Sequence, residues 1–162
     1  MVRMANTQDA EAVVAIYNHY VVNTVVTFEE EPVLAGDMAR RMEDVFASSL
    51  PWIVADDDGG RVVGYAYATK WKARAAYRFS VETTVYLADG NAHKGLGTRL
   101  YTELFRLLKE RGIHAAIGGI ALPNAGSVAL HEKFGMRKVA HFSEVGFKFG
   151  RWVDVGYWEV TF

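Results

Sequence analysis

Hydrophobic and polar residues along this chain repeat with two periods, and the switches between them mark its elements. Val2-Arg3-Met4 reads as a short first strand. Asn6 or Thr7 then caps a helix whose Val13, Ile16, Tyr17 and Tyr20 form an apolar stripe. Asp9 and Glu11 fall in its first turn, where the helix dipole favours acids. The link from Asn23 to Pro32 holds Phe28 among polar residues, and a second helix is expected from about Leu34 to Ala47 with Met38, Met42, Val45 and Phe46 inward. Trp52–Ala55 and Val62–Ala68 pair as a hairpin across Asp57-Asp58-Gly59-Gly60. Val81–Leu87, dense in β-branched and aromatic residues, is the next strand. Ala88–Ala92 is a turn, and His93–Thr98 opens a long helix with Leu96, Leu100, Leu104, Leu107 and Leu108 at helical spacing, stopping at Gly112. Ala115–Ile120 reads as a buried strand, and Pro123-Asn124 starts a short helix ending at Gly135. Two closing strands, about Arg137–Lys148 and Trp152–Thr161, meet near Phe149-Gly150. The order β-α-α-β-β-β-α-β-α-β-β predicts a single α/β (α+β) domain, a mixed sheet with helices on its faces.

Composition narrows the function. The 162 residues, 51% hydrophobic and 23% charged, suffice for one domain burying roughly 70% of its unfolded surface. A net charge of −1 supplies no global field for nucleic acid or an anionic membrane, so neither is expected as a partner. The apolar runs are short of a bilayer span and the first residues lack a signal-peptide pattern, which predicts a cytoplasmic protein. The absence of cysteine excludes disulfides, thiolate metal sites and a cysteine nucleophile. The five histidines show neither His-x-His nor His-Glu-x-x-His spacing, and no metal site is expected.

The chemistry concentrates between Val81 and Arg111. The join of strand to helix places glycine backbone and unpaired N–H groups at a helix N-terminus, which suits a phosphate or pyrophosphate. Gly95-Leu96-Gly97-Thr98-Arg99-Leu100 lacks the last glycine of the dinucleotide fingerprint, and no Gly-Lys-Ser/Thr ends a P-loop. An ordinary glycine-softened helix start also fits these residues.

Ala92-His93-Lys94-Gly95-Leu96-Gly97 resembles the acyl-CoA turn of the GNAT N-acetyltransferases, Arg/Gln-x-x-Gly-x-Gly/Ala. Ala92 departs from it, so a pyrophosphate grip would lean on backbone amides and Lys94. Further segments sharpen the resemblance: Asn18-His19-Tyr20, Thr27-Phe28, Glu31-Pro32, Trp71–Tyr77, Glu82-x-Thr84-Val85-Tyr86, Leu122-Pro123-Asn124 and Gly146–Trp158. Together they look like the phosphinothricin N-acetyltransferases and the related methionine sulfoximine/sulfone acetyltransferases, from near residue 3 to the C-terminus. The resemblance implies a GNAT fold (a twisted, mostly antiparallel mixed sheet with helices on both faces), acetyl-CoA as co-substrate and a homodimer.

It also implies roles for individual residues. Glu82 shares a strand face with Thr84 and Tyr86, and an amine must lose a proton to attack. On the residues alone Glu82 reads first as a solvent-facing strand carboxylate; the resemblance reverses that and makes it the general base. Val85, Tyr86 and Leu87 would offer backbone groups to the thioester where a bulge splays the strand in that fold. His93, Lys94, Gly95, Leu96, Gly97 and Thr98 would hold the cofactor, with Asn124, Ser127 and Lys133. Asn124 is also a natural helix N-cap. His131, two turns on, stands where many GNAT enzymes have the tyrosine that protonates the CoA thiolate; it could do that or orient the amine, with Tyr101 a rival donor. Phe28, Lys72, Ala73, Arg74, Tyr77, Thr83 and Thr84, with Glu82, would line the acceptor site, where Lys72 and Arg74 suit a carboxylate. The aromatic segment Phe147–Trp158 reads as a sheet or dimer surface.

The expected activity is acetyl transfer, direct and within a ternary complex, to the α-amine of a small amino-acid-like acceptor. A polyamine or protein N-terminus as acceptor, or an acyl-CoA sensor without catalysis, are the alternatives. Lys72 and Arg74 speak against a cationic polyamine.

Overall fold

The structure, a computed structural model, describes residues 1–92 and 94–162. Seven strands form one sheet in the order β1-β2-β3-β4-β5-β7-β6. They are β1 (Val2–Met4), β2 (Trp52–Asp56), β3 (Val62–Lys70), β4 (Ser80–Leu87), β5 (Ala115–Leu122), β6 (Arg137–Lys148) and β7 (Arg151–Thr161). The helices are α1 (Ala10–Asn23), α2 (Ala35–Ala47), α3 (Leu96–Glu110) and α4 (Ala125–Lys133). Every neighbouring pair is antiparallel except β4–β5. The order and class expected from the pattern hold, with strand ends extended by one to two residues where ladder partners continue.

Alternation along β4 assigns the helices to faces. Tyr86 meets Tyr17 and Tyr20 of α1, at centroid distances of 5.4 and 5.0 Å. Thr83, of opposite parity, lies beside Tyr101 of α3. So α1, with α2 against it, covers one face, and α3 covers the other. The expected leucines of α3 are all buried. The 3-10 turn Thr7–Asp9 precedes α1, with the Asn6 side chain accepting from Gln8 N and Asp9 accepting from Asn6 N, each at 2.9 Å. Arg3 ties this start to the sheet, bonding Asp9 at 2.8 Å and Asp56 at 2.7 Å.

The feature that positions the site is the β4–β5 pair. Its ladder spans only Ser80↔Ala115, Val81↔Ala116 and Glu82↔Ile117, although β4 runs on to Leu87 and β5 to Leu122. The other edge of each strand stays paired, β4 with β3 through Gly64↔Leu87 and β5 with β7 through Leu122↔Asp154. The register between β3 and β4 runs without a shift, so the expected bulge is not what opens the strands. The parallel pair simply diverges.

The fully buried α3 leucines anchor the α3 face of the core. Leu104→Ala should lower unfolding free energy by about 2–5 kcal/mol, seen as a lower urea midpoint at an unchanged m-value.

Candidate active site

A cavity of about 280 Å³ occupies the gap between β4 and β5. From the α1 face it receives Glu82, Thr84 and Tyr86 of β4, Gly119 of β5 and Tyr157 of β7. Thr27 and Phe28, on the loop after α1, wall this side. Glu82 is half-buried, and desolvation raises its pKa above the usual carboxylate value, with the Lys72 charge pulling the other way. Glycine at 119 makes room: a Cβ there would lie 3.1 Å from the Tyr157 ring and 3.5 Å from Glu82 Oε1.

From the α3 face come Thr83, Tyr101, Asn124, Ser127 and His131. The Asn124 side chain caps α4 by accepting from Ser127 N at 3.1 Å. His131 is 3% exposed and pressed against β5 where Gly118 stands; a Cβ at 118 would be 2.5 Å from its Nε2. His131 Nδ1 lies 2.7 Å from the Ser127 carbonyl, which can only accept, so Nδ1 carries a proton. Burial lowers the imidazole pKa from its usual value. In the neutral ring Nε2 then has only a lone pair, and the Tyr101 hydroxyl, 3.0 Å away, donates to it. Thr83 Oγ1 lies 3.4 Å from the Tyr101 oxygen and 3.5 Å from the Ile117 carbonyl, and its one proton can go to either. The sheet thus carries a carboxylate on one face and a Tyr–His pair on the other, both opening on one slot.

The described residues of the turn before α3 are not part of the cavity lining, but Gly97 brings the turn against Leu130 of α4 and Leu87 at the end of β4. Gly95 takes φ +73°, a left-handed conformation that a side chain would strain, and caps α3 with no side-chain bond. Among the described residues no side chain caps the first N–H groups of this 15-residue helix, where a phosphate would be favoured. Leu96 and Gly97 are buried, Lys94 is exposed, and Lys133 Nζ reaches Thr98 Oγ1 at 3.3 Å. A Cβ on Gly97 would sit 3.1 Å from Leu130, so α4 packs closely on the first turn of α3. His93 lies outside the described residues. Val85 and Tyr86 line the cavity, and beyond Glu82 their strand has no ladder partner on the β5 side. The Leu87 carbonyl already accepts from Tyr20 at 2.7 Å. An acyl-CoA fits these features: an uncapped helix N-terminus for phosphate, and an unpaired strand edge for amides.

Of the loop residues, Lys72 lies over the Trp71 ring at 4.9 Å and acts on Glu82 through its charge. Ala73, Arg74 and Tyr77 are exposed, in or beside the 3-10 turn Ala75–Tyr77, and are not among the cavity-lining residues. Sequence reasoning passed over Gly118-Gly119, whose two glycines inside a strand signal close approach from both sides. It also missed Thr27, Val155 and Tyr157 as lining residues, which nothing local marks. A larger cavity of about 360 Å³ lies under α2 between Met38, Trp52 and Tyr67, but its ionisable groups do not converge on a strand opening. No cluster of three or more metal-ligating side chains occurs among the described residues, and no helix is long and apolar enough to cross a membrane.

The proton positions are testable. Nitrogen-15 NMR at neutral pH should find His131 as the neutral Nδ1–H tautomer, titrating below the ordinary imidazole value of about 6.5.

Residues 2–156 match the acetyltransferase (GNAT) domain. The chain is 39% identical over 164 residues to a phosphinothricin N-acetyltransferase of Streptomyces viridochromogenes, covering 99% of this chain and 87% of that protein. It is 33% identical over 160 residues to an L-methionine sulfoximine/L-methionine sulfone acetyltransferase of Pseudomonas aeruginosa, covering 99% and 93%. Among solved structures it superposes at a TM-score of 0.96 on a phosphinothricin acetyltransferase from Sinorhizobium meliloti in complex with AcCoA, at 35% identity over 99% of this chain and 87% of that one. A ribosomal-protein-alanine N-acetyltransferase from Brucella melitensis also superposes at 0.96, at 34% identity over 100% and 99%. A domain match over nearly the whole chain, on a fold that superposes this closely, shows that the protein belongs to the GNAT N-acetyltransferases, in the branch of the phosphinothricin and methionine sulfoximine/sulfone enzymes.

Proposed function

We propose that this protein transfers an acetyl group from acetyl-CoA directly to the α-amine of a small amino-acid-like acceptor of the phosphinothricin, methionine sulfoximine or methionine sulfone type, within a ternary complex. The observation that carries the reading is the convergence of Glu82 and the Tyr101–His131 pair, from opposite faces of the sheet, on the slot between β4 and β5. Bound acetyl-CoA would supply an activated thioester as acyl donor. The turn His93–Thr98, the Val85–Leu87 backbone, Asn124, Ser127 and Lys133 would hold it on the α3 side. The acceptor would enter from the α1 side, between Phe28 and Tyr157.

The chain's own groups then have separate tasks. Glu82 takes the ammonium proton, and its burial raises its basicity. Thr84 shares its strand face, and Lys72, whose charge already acts on Glu82, would attract the acceptor carboxylate, with Arg74 on the same exposed loop outside the cavity lining. On the leaving-group side the proton between the pair belongs to the Tyr101 hydroxyl, so Tyr101 would be the acid toward the thiolate and His131, accepting at Nε2 3.0 Å away, would orient it. With no cysteine in the chain, a thiolate cannot carry the acyl group, which favours direct attack. Holding both reactants contributes too, orientation being worth roughly 7–11 kcal/mol. A protein N-terminus as acceptor is a second reading, favoured by the likeness to the Brucella ribosomal-protein-alanine enzyme.

The assembly we propose is a homodimer. Strand β6 is an edge of the sheet, yet it exposes Val139, Phe142, Val145 and Phe147, with Phe149 and Trp152 adjoining. A second copy would cover this apolar edge. Light scattering should give about twice the chain mass of 18.1 kDa, and Phe147→Glu with Trp152→Glu should give monomer.

Activity is read as CoA release from acetyl-CoA with methionine sulfone, phosphinothricin, spermidine and a short peptide. Saturable turnover is expected with the amino-acid analogues, and Glu82→Gln should lower kcat roughly 10²–10⁴-fold with little change in melting temperature. Since Glu82 must be ionised to accept a proton, kcat/KM should rise as pH climbs through its raised pKa. Turnover with the peptide alone would move the assignment to protein N-termini.

A further inference from the structure

Lys148 keeps the in-out alternation of the closing hairpin but inverts its polarity. Phe147 and Phe149 point to solvent, while the lysine between them is 0% exposed. A buried ammonium is costly, and an apolar side chain of similar length would avoid that cost. A local rule broken in this way points to a task the side chain performs.

Its contacts name the task. Nζ donates to the Val21 carbonyl at 2.7 Å and to the Thr27 carbonyl at 2.8 Å. Val21 lies in the last turn of α1, where carbonyls have no partner within the helix and the dipole favours a cation. Thr27 belongs to the loop that walls the acceptor side of the cavity. The ammonium therefore ties two points, six residues apart in the chain, to the end of β6. Burial lowers the Lys148 pKa from its ordinary value, the charges of Glu30 and Glu29 oppose that shift in part, and Arg41 holds Glu29 in turn with bonds of 2.5 and 2.9 Å.

A second contact from the same hairpin acts on the next residue. Phe28 presses its ring against β6 at Gly146, where a Cβ would fall 2.3 Å from a ring carbon. The other side of the ring is left open, Phe28 being 40% exposed and lining the cavity. One hairpin thus grips two successive residues of the acceptor wall, Thr27 through a charge and Phe28 through a missing side chain.

We propose that Lys148 is a positioning residue for the acceptor: with Gly146 it fixes Thr27 and Phe28 as the wall of the cleft, and so sets the apparent affinity and selectivity for the acceptor. The inference rests on the reading of Thr27 and Phe28 as the acceptor side. It touches neither the cofactor turn nor Glu82.

The test compares wild type with Lys148→Met, Lys148→Arg, Gly146→Ala, Phe28→Ala and the Gly146→Ala/Phe28→Ala double variant. Lys148→Met should raise KM for the acceptor about tenfold or more and leave KM for acetyl-CoA within about twofold. Lys148→Arg, which keeps donors, should recover part of the loss. Gly146→Ala should raise the acceptor KM, and adding Phe28→Ala should cause no further loss, because the clash and the alanine change act on one ring. Hydrogen exchange of the 24–33 amides in the ligand-free protein should quicken in Lys148→Met. Equal losses for both substrates with a lowered melting temperature, or an unchanged acceptor KM with unchanged exchange, would overturn the assignment. If wild type turns over none of the acceptors, the acceptor reading fails, and exchange alone decides Lys148: quickened exchange supports the clamp and unchanged exchange overturns it.

Discussion

Between β4 and β5 the parallel ladder lasts from Ser80–Ala115 to Glu82–Ile117, and the two strands then part while each stays paired on its far side. A sheet normally separates what lies on its two faces. Here the separation fails at one place, and a carboxylate from one face meets a Tyr–His pair from the other across a gap lined by strand backbone. The geometry suits a two-substrate transfer, because the reactants can arrive from opposite sides and meet only in the slot. It also leaves Val85 and Tyr86 on a stretch of β4 with no ladder partner on the β5 side, where a ligand amide or developing negative charge can be bonded. The Leu87 carbonyl is already taken by Tyr20.

Burial tunes both sides of the slot. Desolvation favours the uncharged form of each group, raising the Glu82 pKa and lowering that of His131. For a base that must take a proton from an ammonium ion, the first shift is useful. The second places the imidazole in a defined tautomer, held by the Ser127 carbonyl at one nitrogen and Tyr101 at the other. Glycines 118 and 119 allow both arrangements, the first by letting the imidazole approach the strand and the second by clearing the space beside Glu82. Two adjacent residues without side chains therefore serve two faces.

Much of this was legible in the chain. The strand Val81–Leu87, the leucine stripe of α3 and the cap at Asn124 are local signals and appear where expected. Asn6, by contrast, caps the 3-10 turn ahead of α1 and not α1 itself, whose N-cap Asp9 makes no side-chain cap bond. Glu82, His131, Asn124 and Phe28 do gather at one cavity. Arg74 and Tyr77 are left on an exposed loop outside its lining, since a charged residue near a site in sequence is free to point to water. Nothing local marks Lys148 as buried, because its partners are carbonyls more than a hundred residues away.

The sequence by itself determined the elements, their order, the absence of thiol chemistry and the family, because periodicity, capping, composition and motif spacing are properties of neighbouring residues. Only the tertiary structure decided where β4 and β5 part, which faces Glu82 and His131 occupy, that Tyr101 donates to His131, and what Lys148 holds. Those outcomes turn on strand register and on desolvation. Both are set by residues far apart in the chain, and no local pattern records them.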